Sequence, residues 1–323
     1  MMEEYKMNEE LSVNSPIDAS EFEHIGQDLG SLNEIVRPST SFWKDAFGRI
    51  KRDKVAITLV CTLAVIAVLA IIVPMVSPYN MAEQHLQHTN QGMFFSDATC
   101  LHIFGTDNLG RDIFVRIFEG ARVSLFIAFA AVIANCFIGI VYGGISGYFG
   151  GTIDNIMMRI VEIINGIPYL LIVILLMMVL PRGTMTIITA LVAVGWVGMA
   201  RLVRGEVMRL KEQEFVISAR TMGASATRII SKHLVPNILS IVVVNLTLSI
   251  PSAIFNEAFL SFIGLGVPIP LASWGTLANE GVVVFQTQPI QLIIPAFFIS
   301  ITMLSFNLLG DKLRDAFDPK LRR

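Results

Sequence analysis

Charge is scarce in this sequence. Only 15% of its 323 residues are Asp, Glu, Lys or Arg, 54% are hydrophobic, and the mean hydropathy is +0.65. Soluble globular domains do not reach these values, so most of the chain is expected to have lipid as its solvent. Cysteine is scarcer still. Cys61 and Cys136 fall within apolar runs and Cys100 in a loop, a set too small and too dispersed for a disulfide framework or a zinc cluster. The five histidines are scattered. None adjoins a plausible nucleophile, and the pair His85 and His88 lacks a cysteine or acidic companion that would suggest a metal. No Gly-x-x-x-x-Gly-Lys-Ser/Thr phosphate loop occurs, and Gly264-Leu-Gly266 is not followed by the third glycine of a dinucleotide loop. ATP hydrolysis on this chain, a membrane-embedded enzyme and a nucleic-acid partner are therefore not expected. A short basic leader is also missing ahead of the first apolar run, which is expected to stay as an anchor.

What the sequence does contain is long uncharged runs. Crossing a hydrocarbon core of about 30 Å takes about 20 helical residues, and six runs qualify: Val55 to Pro78, Val123 to Tyr142, Ile163 to Pro181, Gly183 to Ala200, Leu234 to Asn256 and Leu292 to Leu309. The expected fold is an all-α polytopic membrane protein with about six transmembrane helices. Around them the chain divides into an acidic tail (1–40), an inner interfacial helix with the first span (41–78) and an external loop with a short amphipathic helix (79–122). A transmembrane core (123–310) carrying the loop 201–233 and a carboxyl end (311–323) follow. Twenty of the 24 Lys and Arg residues fall on one side of this topology. The positive-inside rule then places both termini and the loop 201–233 in the cytoplasm, beneath a plasma membrane.

The tail before Arg37 is acidic, with Lys6 its one basic residue, a composition that suits a disordered segment. Trp43, Phe47 and Ile50 then recur at spacings of four and three among Lys44, Arg49, Lys51, Arg52 and Lys54, a pattern for a helix lying on the inner membrane surface. In the external loop, Asp107 with Arg111 and Asp112 with Arg116 stand four apart. Capped by Thr106 or Asp107, they predict a short helix with Ile113, Phe114, Ile117 and Phe118 on its apolar face. Gly139, Gly143, Gly147 and Gly151 are also four apart. Such a stripe permits close approach of another helix, from this subunit or from a partner.

The loop between the fourth and fifth spans is built differently from a simple connection. Val216, Ala219 and Met222 repeat at helical spacing, Gly223 is placed to end that helix, and Ser225 to cap a second one. Helix, glycine turn, helix is the predicted form. Small residues Ser218, Ala219, Gly223 and Ala224, flanked by Arg220 and Arg228, would leave a low-relief surface suited to docking or to connection alone.

This loop resembles the cytoplasmic signature of the binding-protein-dependent ABC importer permeases, which reads Glu-Ala-Ala, three residues, Gly, nine residues, Ile-x-Leu-Pro. Ile217-Ser218-Ala219 stand at the Glu-Ala-Ala positions, Gly223 at the Gly, His233 at the Ile and Val235-Pro236 at the Leu-Pro. Three further stretches resemble the dipeptide, oligopeptide and nickel branch of that family: Phe104-Gly-Thr-Asp-Asn-Leu-Gly-Arg-Asp112, Leu260-Ser-Phe-Ile-Gly-Leu-Gly266 with Ser273-Trp274-Gly275, and Phe306-Asn-Leu-Leu-Gly-Asp311 with Leu313-Arg-Asp315 and Asp318-Pro319. The chain is similar to the second, C-type membrane subunit of such systems.

The resemblance implies a type I importer permease (MetI-like) architecture in a bacterial plasma membrane. It also implies a second homologous permease, two ATPase subunits that hold the ATP and Mg, and an extracellular or periplasmic binding protein that delivers peptide. Glu214, Ile217, Ser218, Ala219, Arg220, Gly223, Ala224 and Ser225 are then the implied contact with an ATPase. For the substrate path, Glu162 and Glu257 are the acids nearest lipid depth and so the candidates, although Arg159 lies one turn before Glu162. The same resemblance leaves import of nickel or another metal chelate as the alternative. An ion-coupled secondary transporter would need an inverted repeat and midplane charges, neither of which is evident.

Overall fold

The computed structural model describes residues 42–96 and 101–317; the acidic tail, Cys100 and the last six residues lie outside them. The chain divides into two compact units, Met1–Asp45 and Ala46–Arg323, and helix α1 (Phe42–Ile50) runs across their boundary. In the second unit, helix α2 (Lys54–Val76) starts at Asp53, whose carboxylate accepts hydrogen bonds from Val55 N at 2.8 Å and Ala56 N at 3.2 Å. The other Asp53 oxygen meets Lys312 Nζ at 2.8 Å. That ammonium, helped by the backbone N–H groups, holds the Asp53 carboxyl below its ordinary range, so the tie is intact at neutral pH. Only Ala56, Ile66, Ala70 and Val73 of α2 are buried, while Val65, Ile71 and Met75 are exposed. An apolar surface turned outward along a whole helix suits hydrocarbon rather than water.

Helix α3 (Ile113–Phe149) has 37 residues, about 55 Å of helix. It absorbs the short interfacial helix expected before the second span: nothing between Phe118 and Val123 breaks the helix, so the two are continuous. Its cap is neither Thr106 nor Asp107. Asp112 accepts from Val115 N at 2.8 Å, and Thr106 pairs with Asp112 across a bridge. The third expected span is not one helix either. It divides into α4 (Gly151–Asn165) and α5 (Tyr169–Val179), bent by 80° at Gly166-Ile167-Pro168, where proline offers no N–H to continue the ladder. At 11 residues α5 is about 16 Å long, too short to cross alone.

Helix α6 (Thr184–Leu210) continues ten residues past Ala200, because Val203, Val207 and Leu210 keep the buried helical period. Arg201, Arg204 and Arg209 therefore sit on a helix, not in a loop. Helices α7 (Glu214–Thr221) and α8 (Ala226–Ile229) follow, then a π-helical turn Ile230–Leu234 and α9 (Val235–Leu260). A second π turn, Ser261–Leu265, leads to α10 (Trp274–Val283) and α11 (Ile290–Phe317). Among the described residues the one strand pair is β1 (Phe95–Ser96) with β2 (Leu101–His102), antiparallel, Phe95 opposite His102. Five stretches (α2, α3, α6, α8 through the second π turn, and α11) are long and apolar enough to cross a membrane, and α4 with α5 makes a sixth when counted as one bent span.

The centre is the crossing of α3 and α6. A Cβ built on Gly143 would collide with the carbonyl oxygen of Ala200, one on Gly147 would lie 2.8 Å from Arg204 O, and one on Gly139 2.6 Å from Met199 Cβ. Three of the four glycines thus serve packing within this chain, whereas Gly151 meets nothing within 4 Å. Gly143→Leu is expected to force the helices apart and cost about 1–3 kcal/mol. A falling thermal unfolding midpoint in detergent, against an unchanged or slightly raised one for Gly205→Ala, checks this; a midpoint for Gly143→Leu no lower than that of the unaltered chain would remove the close contact from the account.

At the end of the bundle that bears the 79–112 segment, charges are paired in the interior. Asp107 Oδ2 lies 2.6 Å from Arg111 Nε and 2.5 Å from Arg116 Nη1, and Glu280 on α10 meets Arg116 at 2.6 and 3.0 Å and Arg111 at 3.2 Å. Asp107 also accepts from Leu109 N at 2.8 Å and Arg111 N at 2.9 Å, which makes the motif a tight turn rather than a helix. Gly105 and Gly110 have φ of +77° and +74° and press on the carbonyls of Gln91 and His85, an arrangement only glycine allows. Trp274 Nε1 donates to Ile117 O at 3.0 Å, so α10 is pinned on α3 from both sides. Removing one charge of a buried set typically costs about 3–5 kcal/mol, and Arg116→Met is expected to lower the unfolding midpoint accordingly. Arg116→Leu/Glu280→Leu, which removes both signs, should recover part of that loss; no recovery would mean that packing, not charge balance, dominates here.

Candidate functional site

Two places in the second unit carry features beyond packing. The first is the connection from α6 to α9. After Gln213 caps α7 in an extended conformation, Val216 and Ala219 are buried, 0% and 3% exposed, and Val216 joins a core that includes Val203, Val207 and Leu210 of α6 and Ile238 and Val242 of α9. Helix α7 ends in a double closure: Ala224 N donates to Ala219 O and Gly223 N to Arg220 O, both at 3.0 Å, with Gly223 at φ +80°. Ser225 then accepts from Arg228 N at 3.4 Å and starts α8. Met222, the third residue of the helical repeat, is not buried with the other two but 81% exposed, because the helix has already ended there. Of the low-relief residues, Ser218 and Gly223 face out, Ala224 is half-buried and Ala219 is buried. Glu214, Phe215, Ile217, Arg220 and Ser225 are exposed, and the Arg220 guanidinium lies over the Tyr148 ring at 5.5 Å, tying α7 to the end of α3.

The second is a cavity of about 920 Å³ between α3, the α4–α5 bend, α6 and α9. Its polar lining is Asn135 from α3, Asn165 and Tyr169 at the bend, Arg201 from α6, and Asn245, Ser249, Ser252 and Asn256 from α9. Neither Glu162 nor Glu257 is among the lining residues. Glu162 is exposed and paired with Arg159 at 2.9 Å. Glu257 is fully buried, its two oxygens accepting from Ser124 Oγ at 2.8 Å and Ser261 Oγ at 2.7 Å. Ser124 in turn accepts from Trp274 N at 3.1 Å. These bonds stitch α3, α9, the second π turn and α10 together, a joint rather than an opening. The lining was visible in the sequence as Asn245, Ser249, Ser252 and Asn256, spaced four, three and four apart within an otherwise apolar run; a search for charges passes over it. Among the described residues no group of His, Cys, Asp and Glu has the geometry of a metal site.

Residues 139–323 match the family described as binding-protein-dependent transport system inner membrane component. The chain belongs to that family of transport permeases. Residues 41–92 also match the N-terminal TM domain of oligopeptide transport permease C. The chain is 48% identical over 302 residues to the oligopeptide transport system permease protein OppC of Bacillus subtilis, covering 94% of this chain and 97% of that protein. Identity is also 48% over 292 residues to the dipeptide transport system permease protein DppC of the same organism, covering 90% of each. Among solved structures, the MetNI methionine ABC transporter in inward-facing conformations aligns with a TM-score of 0.48 and 18% identity, over 61% of this chain and 94% of that chain. As a permease of this family, the chain is a multi-pass membrane protein, and the apolar outer surface of its helices suits a lipid surrounding.

Proposed function

We propose that this chain is the C-type permease subunit of an ATP-driven importer that carries peptides, oligopeptides or dipeptides, into bacteria. The observation that carries this reading is the 48% identity, sustained over 302 and 292 residues, to permeases named for oligopeptide and dipeptide transport. The subunit works with a second homologous permease, two ATPase subunits that bind ATP and Mg, and an external protein that delivers the peptide. It carries no catalytic step itself. Both termini and α7 lie in the cytoplasm, on the side that holds twenty of the 24 Lys and Arg residues.

The geometry supports a division of labour. The exposed face of α7, with Glu214, Ile217, Ser218 and Arg220, together with the turn Gly223-Ala224-Ser225, receives an ATPase. Val216 seats the same helix in the core that α6 and α9 share at their inner ends. A displacement of α7 then moves those two helices as one body, and α6 and α9 are two of the walls of the cavity. The cavity is the share of the translocation path that this subunit contributes.

The test is reconstitution of all four membrane and ATPase subunits with the binding protein in proteoliposomes, where ATP-dependent uptake of labelled oligopeptide is expected. Uptake of a nickel chelate in place of peptide would overturn the substrate, and transport by the lone chain would overturn the ATP-driven reading. Proline cannot adopt the φ of Gly223, so Gly223→Pro is expected to leave the subunit inserted and to abolish ATP-coupled uptake. Normal uptake in that variant would remove α7 from the coupling.

A further inference from the structure

We propose that the cavity handles its cargo through the peptide main chain: Asn135, Asn245, Ser249, Ser252 and Asn256 form a hydrogen-bonding track that is indifferent to side-chain charge. This rests on the peptide reading above and adds to it a statement of which cargo groups the subunit senses. The α9 residues at i, i+4, i+7 and i+11 lie on one helix face. From Asn245 to Asn256 that face rises about 16 Å, the length of roughly five residues of extended chain. Each amide presents a donor and an acceptor, as each peptide group does. Ser249 donates to Asn245 O at 2.7 Å, which leaves its oxygen lone pairs to accept from cargo.

Across from α9, Asn135 adds an independent sign. Its Oδ1 is buried and accepts no hydrogen bond among the described residues, although its side chain borders the cavity. It sits where a Cβ on Gly195 would collide with its amide, so the glycine reserves the space for it. An unfilled buried acceptor carries a cost, and a turn of the Asn135 amide toward the cavity it borders would let a cargo N–H relieve it. The rest of the lining is largely aliphatic, and its charge is confined to Arg201, with no Asp, Glu or Lys. A charged lining group such as Arg201 sorts cargo by charge; the amides and hydroxyls of the track do not.

The test uses the complete reconstituted importer and three labelled peptides: pentaalanine, and the same peptide with its central residue replaced by Lys or by Glu. Uptake by each variant is divided by wild-type uptake of the same peptide, so that the preference of the binding protein cancels. Asn245→Leu/Asn256→Leu is expected to lower all three ratios by a common factor of about ten, as for the loss of one or two hydrogen bonds. Asn245→Gln/Asn256→Gln, which keeps the amides, is expected to restore most of it. Asn245→Asp is expected to lower the Glu-peptide ratio at least about fivefold below the Lys-peptide ratio, a comparison within one preparation that needs only residual uptake. Wild-type ratios in the double Leu variant, a loss confined to one peptide, or equal Glu and Lys ratios in Asn245→Asp would each overturn the track while leaving peptide import standing. Failure of the wild-type complex to take up any of the three peptides overturns the peptide reading and the track with it.

Discussion

The contact between α3 and α6 holds the molecule in the form that everything else uses. At Gly143 and Gly147 the two backbones touch with no side chain between them. In lipid there is no hydrophobic force to press helices together, so dispersion at such close range has to supply the attachment. Because the crossing is so tight, the amino-terminal part of α3 is placed for Asp112 to cap it and for Arg116 to enter the charge cluster. The carboxyl-terminal part of α6, with Arg204 in the crossing itself, is likewise placed to continue toward α7. The cavity lies alongside this joint, with Asn135 on one helix and Gly195 on the other.

A second constraint acts on polar groups taken away from water. Each costs several kcal/mol unless it finds a partner, and this chain answers with small closed sets. Glu257 is matched by two serine hydroxyls and, through Ser124, by a backbone N–H. Asp154 is matched by both arms of Arg204 at 2.5 Å and by Ser146, joining α4 to α6 and α3. Satisfied sets of this kind specify position, because a helix that slides by one turn loses all of its bonds together. The cavity wall, by contrast, keeps amide capacity in reserve.

How much of this was legible in the sequence depended on how local each signal was. Gly223 and Ser225 act within their own turn, so helix, glycine turn, helix could be read directly. The apolar runs announced the long helices, but their ends were set by distant neighbours. The period of Val203, Val207 and Leu210 extends α6 because α3 and α9 bury it, and Pro168 divides a run that hydropathy alone treats as one. The pairs Asp107–Arg111 and Asp112–Arg116 fit a helix and a turn equally well by spacing. The bonds that Leu109 N and Arg111 N donate to Asp107 close the turn, and Arg116 meets a partner on α10, Glu280, 164 residues beyond it. The partner of the glycine stripe was likewise a tertiary fact. Among the acids, depth in the run singled out Glu257, yet depth does not distinguish a group facing a path from one sealed in a joint.

The pairing of Asp53 with Lys312 bears on the order in which the protein is made. The cap of the first long helix is completed by a side chain that leaves the ribosome about 260 residues later, on the order of tens of seconds at ordinary synthesis rates. Until then α2 rests in the bilayer on its apolar faces, with Ile66 and Ala70 waiting for Ile294 and Phe298 of α11 to close over them. The first long helix thus packs on α3 as soon as that helix follows it, and completes its seat only with α11. A chain truncated before α11 would expose that unfinished seam to whatever surveys the membrane for incomplete proteins.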